Sequence, residues 1–588
     1  MRILCLVLAL APSLARADSL MTDLSKRYID GLFRAKPHLA TFMGDHRFDD
    51  RLPDYSTRAL KAREKELVKL DAELTSFRNA VKPSLDDSID ADIMQDGIGL
   101  ELLYLREIRD WEWDPRLNDS FPYYDPREIV AGRLSDIIHG DFASETDRRN
   151  SVTKQLDAMP IFLEDVKAAL AAKHLGKRGV PKEYLDQSIK GNKGRIEFFD
   201  GELKEFTSKD EKAEAARGRA VSALQRYQTF LEALKPSSDK GAWRLGAALY
   251  SKKFPLALQT NLTPTLAIPR AEASFQKARA ELVEVATRIY QQLWPKTPVA
   301  GLAAKDIINK VKDELSKDHA NPSELVQAHA KNLDALRAFI EKHDLVALPP
   351  RETLTVEPMP AFKRGSSAAE YLAPGVLEHR EKWHATYYVD PIDPTWPIDR
   401  VESYLRGQNN YEVQLVAAHE AYPGHHTQYA YSKRNLNPLR AVLWNAPMVE
   451  GWAVYSEGLM VQNGWPNSKR DAMNDRYRFY DLRGQMVVAT NILLDIKLQS
   501  DQMSDEEAVR FMVEEGFQER AMAEKKLLRA KLDSTQLAQY FLGLDEIKTL
   551  EADYRKKEKQ FNQRAFDDAL IGHGSIAVKF LRRYLLGE

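Results

Sequence analysis

YEVQLVAAHEAYPGHHTQ, residues 411–428, is the stretch on which the reading of this chain turns. From Tyr411 to Glu420 the residues are good helix formers, with Val413, Val416 and Ala417 spaced to pack inward and His419 near the C-terminal end. A rigid element therefore delivers His419 and Glu420. Adjacent helical residues point about 100° apart, so His419 can ligate a metal while Glu420 addresses the water held beside it. His-Glu-x-x-His motifs of zinc peptidases use the same arrangement. The spacing here differs: four residues separate Glu420 from His425, and His426 follows directly. An unbroken helix would not present His419 and His425 as an i, i+4 pair. Pro423, which lacks an amide hydrogen and whose ring clashes with the carbonyl of His419, predicts an interruption, and Gly424 gives the chain room to turn. An interruption there can bring one of the tandem histidines back to the metal, and the residues alone leave His425 and His426 as alternatives.

Read by itself, this fragment is as consistent with a polar helix end as with a metal site. The segment EGWAVYSE, Glu450 to Glu457, shifts the balance. As a helix it places Glu450 and Glu457 on one face, with Trp452 and Tyr455 on others. A carboxylate from a second helix commonly completes a site begun by two histidines and leaves the fourth position to water. Glu450 stands 25 residues after His425 and fits that role, while Glu457, two turns on, can accept a hydrogen bond from the other nitrogen of a ligating histidine.

At these residues the chain resembles the bacterial DUF885 family, marked by an HExxPGHH-type segment followed by an EGWAxYxE-type segment. Further matches run from Ala40-Thr41-Phe42-Met43-Gly44-Asp45 through Tyr387-Tyr388-Val389 to Ser534-Thr535-Gln536 and Tyr540-Phe541-Leu542-Gly543. That family is similar to gluzincin peptidases of the thimet oligopeptidase and carboxypeptidase Taq type. The resemblance implies a mainly α, large helical zincin-like fold with a deep channel, one zinc ion and a peptide substrate. It favours His425, after Gly424, as the second ligand beside His419 and Glu450, with His426 in the alternative role. It assigns Glu420 as the general base and Tyr540 as a candidate donor to the oxyanion. The chain departs from the family pattern at Gln499, four residues after Asp495, and at Asp567, after Phe566, where many members carry histidine. A substrate-contacting histidine lost at either place would alter specificity or turnover.

Outward from the motifs, helical periodicity dominates. Leu67, Leu70, Leu74 and Phe77 recur within a Lys- and Glu-rich run, and Phe275, Ala278, Leu282, Ile289 and Leu293 lead to Pro295. Short β-like stretches at Thr353 to Val356 and Ala385 to Val389 predict a small sheet near the site. Lys235 to Lys240 and Leu348 to Ser367 read as linkers, and no internal repeat is visible.

The N-terminus reads as a signal peptide, residues 1–17. Arg2 precedes an apolar run from Ile3 to Ala11, and Ala15-Arg16-Ala17 has the form of a signal-peptidase site, so the mature domain is expected to span 18–588 in the periplasm or outside the cell. It reads as one helical metallopeptidase domain in which two lobes around a channel remain open. The single cysteine, Cys5, lies inside the apolar run, so disulfides, thiol nucleophiles, cysteine-held zinc and lipid attachment are not expected of the mature chain. With 85 Lys plus Arg against 87 Asp plus Glu, no global field draws the chain to nucleic acid or to an anionic membrane. The absence of Gly-x-Ser-x-Gly and of a P-loop leaves serine-hydrolase and nucleotide chemistry without support. Two rivals to a peptidase remain at this stage: a silent zinc-containing binder of peptides, and a zinc hydrolase of another amide or ester.

Overall fold

The structure, a computed structural model, describes residues 4–80, 82–119, 127–171, 178–350, 353–359, 367–378, 383–434 and 436–588, without the side chains of 4–19, 80 and 127. Helix makes up 71% of the chain and strand 4%, so the fold is mainly α. The expected cleavage point after Ala17 falls within the helix Leu4–Ala35, among residues whose side chains lie outside the description. No described helix is long and apolar enough to cross a membrane.

Both amphipathic helices read from the sequence are present. Leu67, Leu70, Leu74 and Phe77 are buried along Thr57–Ala80. Phe275, Ala278, Leu282 and Ile289 are buried along Pro264–Leu293, which stops just before Pro295 as expected of a residue that cannot continue a helix. The segment from Leu117 to Leu231 gathers around a hydrophobic cluster of its own. The rest of the chain packs mostly around one large core to which the site-bearing helices belong.

Six helices position the site: α1 (Asn410–Glu420), α2 (His425–Arg434), α3 (Ala446–Gln462), α4 (Ala472–Gln499), α5 (Arg520–Leu532) and α6 (Ala538–Lys557). The long α4 packs on Pro264–Leu293 and on α6, and α6 in turn packs along α3. Asp495 of α4 ties these layers together. Its buried carboxylate accepts the backbone N–H of Thr535 at 3.0 Å and of Ala538 at 3.1 Å, satisfying free amides at the start of α6.

Beside them lies a three-stranded sheet of β1 (Leu354–Pro358), β2 (Ala369–Leu372) and β3 (Ala385–Val389) in the order β1–β3–β2. β1 runs parallel to β3 with Val356 opposite Tyr387, and β2 runs antiparallel with Tyr371 opposite Tyr387. Ala385, Tyr387 and Val389 are buried, as the period of two requires of a strand packed on one face. β1 and β3 match the two β-like stretches of the sequence; β2 was not foreseen. Of the two linker-like stretches, Lys235 to Lys240 forms no helix or strand, whereas the other contains β1.

Candidate metal centre

α1 begins where Asn409 caps it, accepting the N–H of Tyr411 and of Glu412 at 3.2 Å each. It ends at Glu420, and α2 starts at His425, so the interruption expected at Pro423 and Gly424 is present. Its geometry depends on Gly424. The N–H of Gly424 reaches back to the carbonyl of Ala418 at 2.9 Å, and a Cβ at residue 424 would lie 1.8 Å from the carbonyl oxygen of His419. Only a residue without a side chain lets the chain fold that closely over the end of its own helix. The indole N–H of Trp452 fastens the turn from outside, donating to the carbonyls of Pro423 at 3.0 Å and Gly424 at 3.3 Å.

The turn brings His425 to His419 with ring centroids 4.8 Å apart and planes nearly perpendicular. Glu450 of α3 faces both: its Oε2 lies 3.6 Å from Nε2 of His419 and 3.9 Å from Nε2 of His425. One ligand atom from each of these three residues lies within 4.8 Å of the others. A tetrahedral zinc ion with ligands at about 2.0–2.2 Å holds its ligand atoms about 3.3–3.6 Å apart, so a small inward movement completes the shell. The donor set fits zinc. Glu457, two turns along α3, accepts from Nδ1 of His419 at 2.7 Å, which directs Nε2 toward the ion position and fixes the tautomer.

The position of α3 follows from a close helix crossing. Gly451, next to Glu450, meets Gly543 of α6 so closely that a Cβ on either would fall within 2.6 Å of the other helix's backbone. Buried on nearly all sides, α3 presents Trp452 to the histidine turn and Tyr455 to Asp567, away from the two glutamates.

His426, the alternative ligand, points elsewhere. Its Nε2 lies 3.0 Å from the hydroxyl of Thr353 and its Nδ1 lies 3.2 Å from the hydroxyl of Tyr371. With Tyr422 and Trp383 packed on the ring, it joins α2 to the sheet. Burial, with the charge of Arg337 adding to it, holds this imidazole down to about 3.

The electrostatics are those of several carboxylates gathered in one half-buried place. Burial pushes the Glu420 carboxyl up to about 7, and the nearby charges of Glu450 and Glu370 act the same way against the opposing charge of His419 and an amide hydrogen bond from Tyr371. Burial lowers His419, but the carboxylate of Glu450 at 3.6 Å and the hydrogen bond to Glu457 outweigh it and raise the imidazole well above its ordinary value. His425, buried beside it, falls to about 4. A dication at the place where the three ligand atoms converge would offset this gathering of negative charge.

Tyr540 of α6 stands one turn before Gly543, on the side of α6 that crosses α3. Burial raises its hydroxyl to about 12 and the charge of Glu450 contributes. Arg529 of α5 donates to that hydroxyl at 3.0 Å. The two family departures lie in packed surroundings. Gln499 accepts the N–H of Leu245 at 3.0 Å and donates to the carbonyl of Ala530 at 3.0 Å, and Asp567 accepts from Tyr455 at 3.3 Å and Gln563 at 2.9 Å. Both are buried with their polar atoms engaged. Sequence reasoning missed Tyr371, whose backbone amide holds Glu420, and Arg529; neither lies in a segment with a chemical signature.

The profile of a family described as "Bacterial protein of unknown function (DUF885)" matches residues 37–585. The chain belongs to this family. No curated protein matches it. Among solved structures, this DUF885 chain is similar to one described as "a putative lipoprotein of unknown function from Shewanella oneidensis", with 26% identity, a TM-score of 0.79, and coverage of 96% of this chain and 99% of that one. It also shares its fold with "the putative lipoprotein from Colwellia psychrerythraea", at 16% identity and a TM-score of 0.74, over 97% of this chain and 99% of that one. These two solved structures share the fold described above over nearly the whole of each chain.

Proposed function

We propose that this DUF885 chain is a zinc-dependent peptidase acting outside the cytoplasm. The observation that carries the proposal is the convergence of His419, His425 and Glu450, with Glu457 orienting His419 and the unligated Glu420 beside them. A zinc ion held there supplies Lewis acidity: it polarises a carbonyl and makes water a better acid. Glu420 would accept the proton of the attacking water and return it to the leaving amine. The amide of Tyr371 keeps that carboxylate in place, and Tyr540, whose hydroxyl feels the charge of Glu450, would donate its hydrogen to the developing oxyanion.

A peptide substrate suits the surroundings, because β2 is the edge strand of the sheet, is paired on one side only among the described strands, and carries the residue that holds Glu420. An extended peptide can lie along such an edge. Location outside the cytoplasm rests on the apolar run with its Ala15-Arg16-Ala17 site and on the description of two solved relatives as lipoproteins.

Glu420→Gln tests the reading, since it keeps size and shape while removing the base. Zinc content and folding should hold, and cleavage of a mixed peptide library read by mass spectrometry should fall roughly 10²–10⁴-fold. Wild-type turnover in the variant with full zinc would refute the role of Glu420. A wild type that holds zinc and peptide but cleaves nothing would replace the enzyme with a binding protein.

A further inference from the structure

Helix α5 brings a second set of charges to the triad. Tyr540 is one turn from Gly543, and Glu450 adjoins Gly451, so the backbone contact between these two glycines joins their helices at this level, near enough for the charge of Glu450 to act on the Tyr540 hydroxyl. Arg529 then extends the line outward. Its Nη2 donates to the Tyr540 hydroxyl at 3.0 Å, and its guanidinium carbon lies 5.9 Å from the ring centroid. Lys526 is three residues earlier on α5, on the same face as Arg529.

Lys526 differs from the other lysine of this helix whose partners are visible. Lys531 reaches Asp505 at 2.6 Å and Glu183 at 3.2 Å. Lys526 is half-buried and has no carboxylate within ion-pair distance among the described residues. Burial and the neighbouring Arg529 push its ammonium down to about 7. A desolvated cation beside a second cation is costly unless an anion joins them. Lys526 thus stands one turn from the exposed Arg529, whose Nη2 reaches the candidate oxyanion donor.

We propose that Lys526 and Arg529 bind the C-terminal carboxylate of the substrate, so that the chain removes residues from the C-terminal end of short peptides rather than cutting within long ones. This rests on the peptidase reading above. A planar carboxylate matches the two-pronged guanidinium, and the ammonium adds a compact second charge. The same arrangement explains why Arg529 contacts the phenol: one side chain couples the substrate's terminus to the donor beside the scissile bond.

The experiment uses two acetylated alanine tetrapeptides, one with a free C-terminal carboxylate and one ending in an amide. Binding is measured by calorimetry on the full-length Glu420→Gln protein, and cleavage is measured on the wild type. The free acid should bind about 10–100-fold tighter than the amide, as charge-assisted hydrogen bonds of this kind allow. Lys526→Met and Arg529→Gln should each reduce that preference at least about threefold with zinc content unchanged, and Lys526→Arg should keep most of it. Equal binding of acid and amide, binding of neither, or an undiminished preference in both charge-removing variants would overturn the proposal. The two readings fail separately: cleavage of both peptides at equal rates leaves the peptidase standing without the terminus receptor. Cleavage of neither, with selective binding of the acid, leaves the receptor standing without the peptidase.

Discussion

Replacing Gly543 by alanine should weaken zinc binding at the proposed site although the residue touches none of the candidate ligands. The added Cβ would stand 1.8 Å from the carbonyl oxygen of Pro447 and 2.8 Å from Cα of Gly451. Both are backbone atoms of α3, so no rotamer change relieves the clash, and the helices must part by more than about 1 Å to restore ordinary contact. Glu450 moves with α3. Metal–ligand distances tolerate only about 0.2 Å, so a displacement of this size exceeds the tolerance several times over. Trp452 resists by holding the turn at Pro423 and Gly424, and whichever gives way, either those bonds or the alignment of His419 is lost. Overpacking of this kind costs about 1–3 kcal/mol, and zinc affinity should fall at least about tenfold. Zinc competition against a chromophoric chelator, with thermal unfolding in the presence and absence of zinc, measures both quantities. Gly458→Ala on the same helix is the control, because its Cβ would meet nothing nearer than 3.5 Å. A Gly543→Ala protein with wild-type zinc affinity and unfolding temperature would show that the glycine crossing does not set the position of Glu450.

The tandem histidines should separate cleanly in metal analysis: His425→Ala should lose zinc, whereas His426→Ala should keep it and lose stability through the freed Thr353 and Tyr371 hydroxyls, and the reverse pattern would exchange their roles. A pH-dependent contribution to stability should come from His46, where burial alone would lower the imidazole but a hydrogen bond to Asp49 at 2.8 Å and the carboxylate of Glu378 at 3.7 Å raise it to about 9. Because the folded-state value lies above the unfolded one, this contribution is complete below about pH 6.5 and is lost as pH rises through about 9. Discounted for the partial exposure of the ring, it is on the order of 1 kcal/mol, and the difference in unfolding free energy between wild type and His46→Gln should shrink by that amount across this window. A difference that stays constant with pH would remove His46 from the account.

The triad was legible in the sequence because its two halves are short-range patterns. HEAYPGHH carries its own helix, breaker and turn residue, and EGWAVYSE carries two carboxylates seven residues apart. What those patterns could not decide was which tandem histidine turns toward the metal, since that depends on partners distant in sequence. Thr353 and Tyr371 draw His426 to the sheet, and the fold supplies them from segments 73 and 55 residues away. β2 was invisible for a related reason. All four of its residues are half-buried or exposed, so it has no alternation to read, and it becomes a strand only because β3 offers its edge.

The charged face of α5 shows the same limit in a sharper form. Within KKLLRAK, residues 525–531, Lys526 and Lys531 are equivalent by composition and by helical spacing, and the natural reading of both is a solvated surface. Tertiary structure divides them: α5 meets acidic partners at Lys531 and Tyr540 at Arg529, and Lys526 has no carboxylate within ion-pair distance among the described residues. A fold that neutralises one lysine twice over and leaves its neighbour uncompensated is not governed by solubility alone. Uncompensated charge is destabilising in the free protein, and the loss is recovered only when an external anion arrives. The same reasoning applies to Glu420 and Glu457, two carboxylates whose charge burial disfavours and a cation would make compatible. The proposed metal site and terminus receptor would therefore complement each other across Tyr540: the first gathers carboxylates, the second brings two cations, and a peptide whose C-terminus lay at Lys526 and Arg529 would extend its scissile carbonyl back toward the triad.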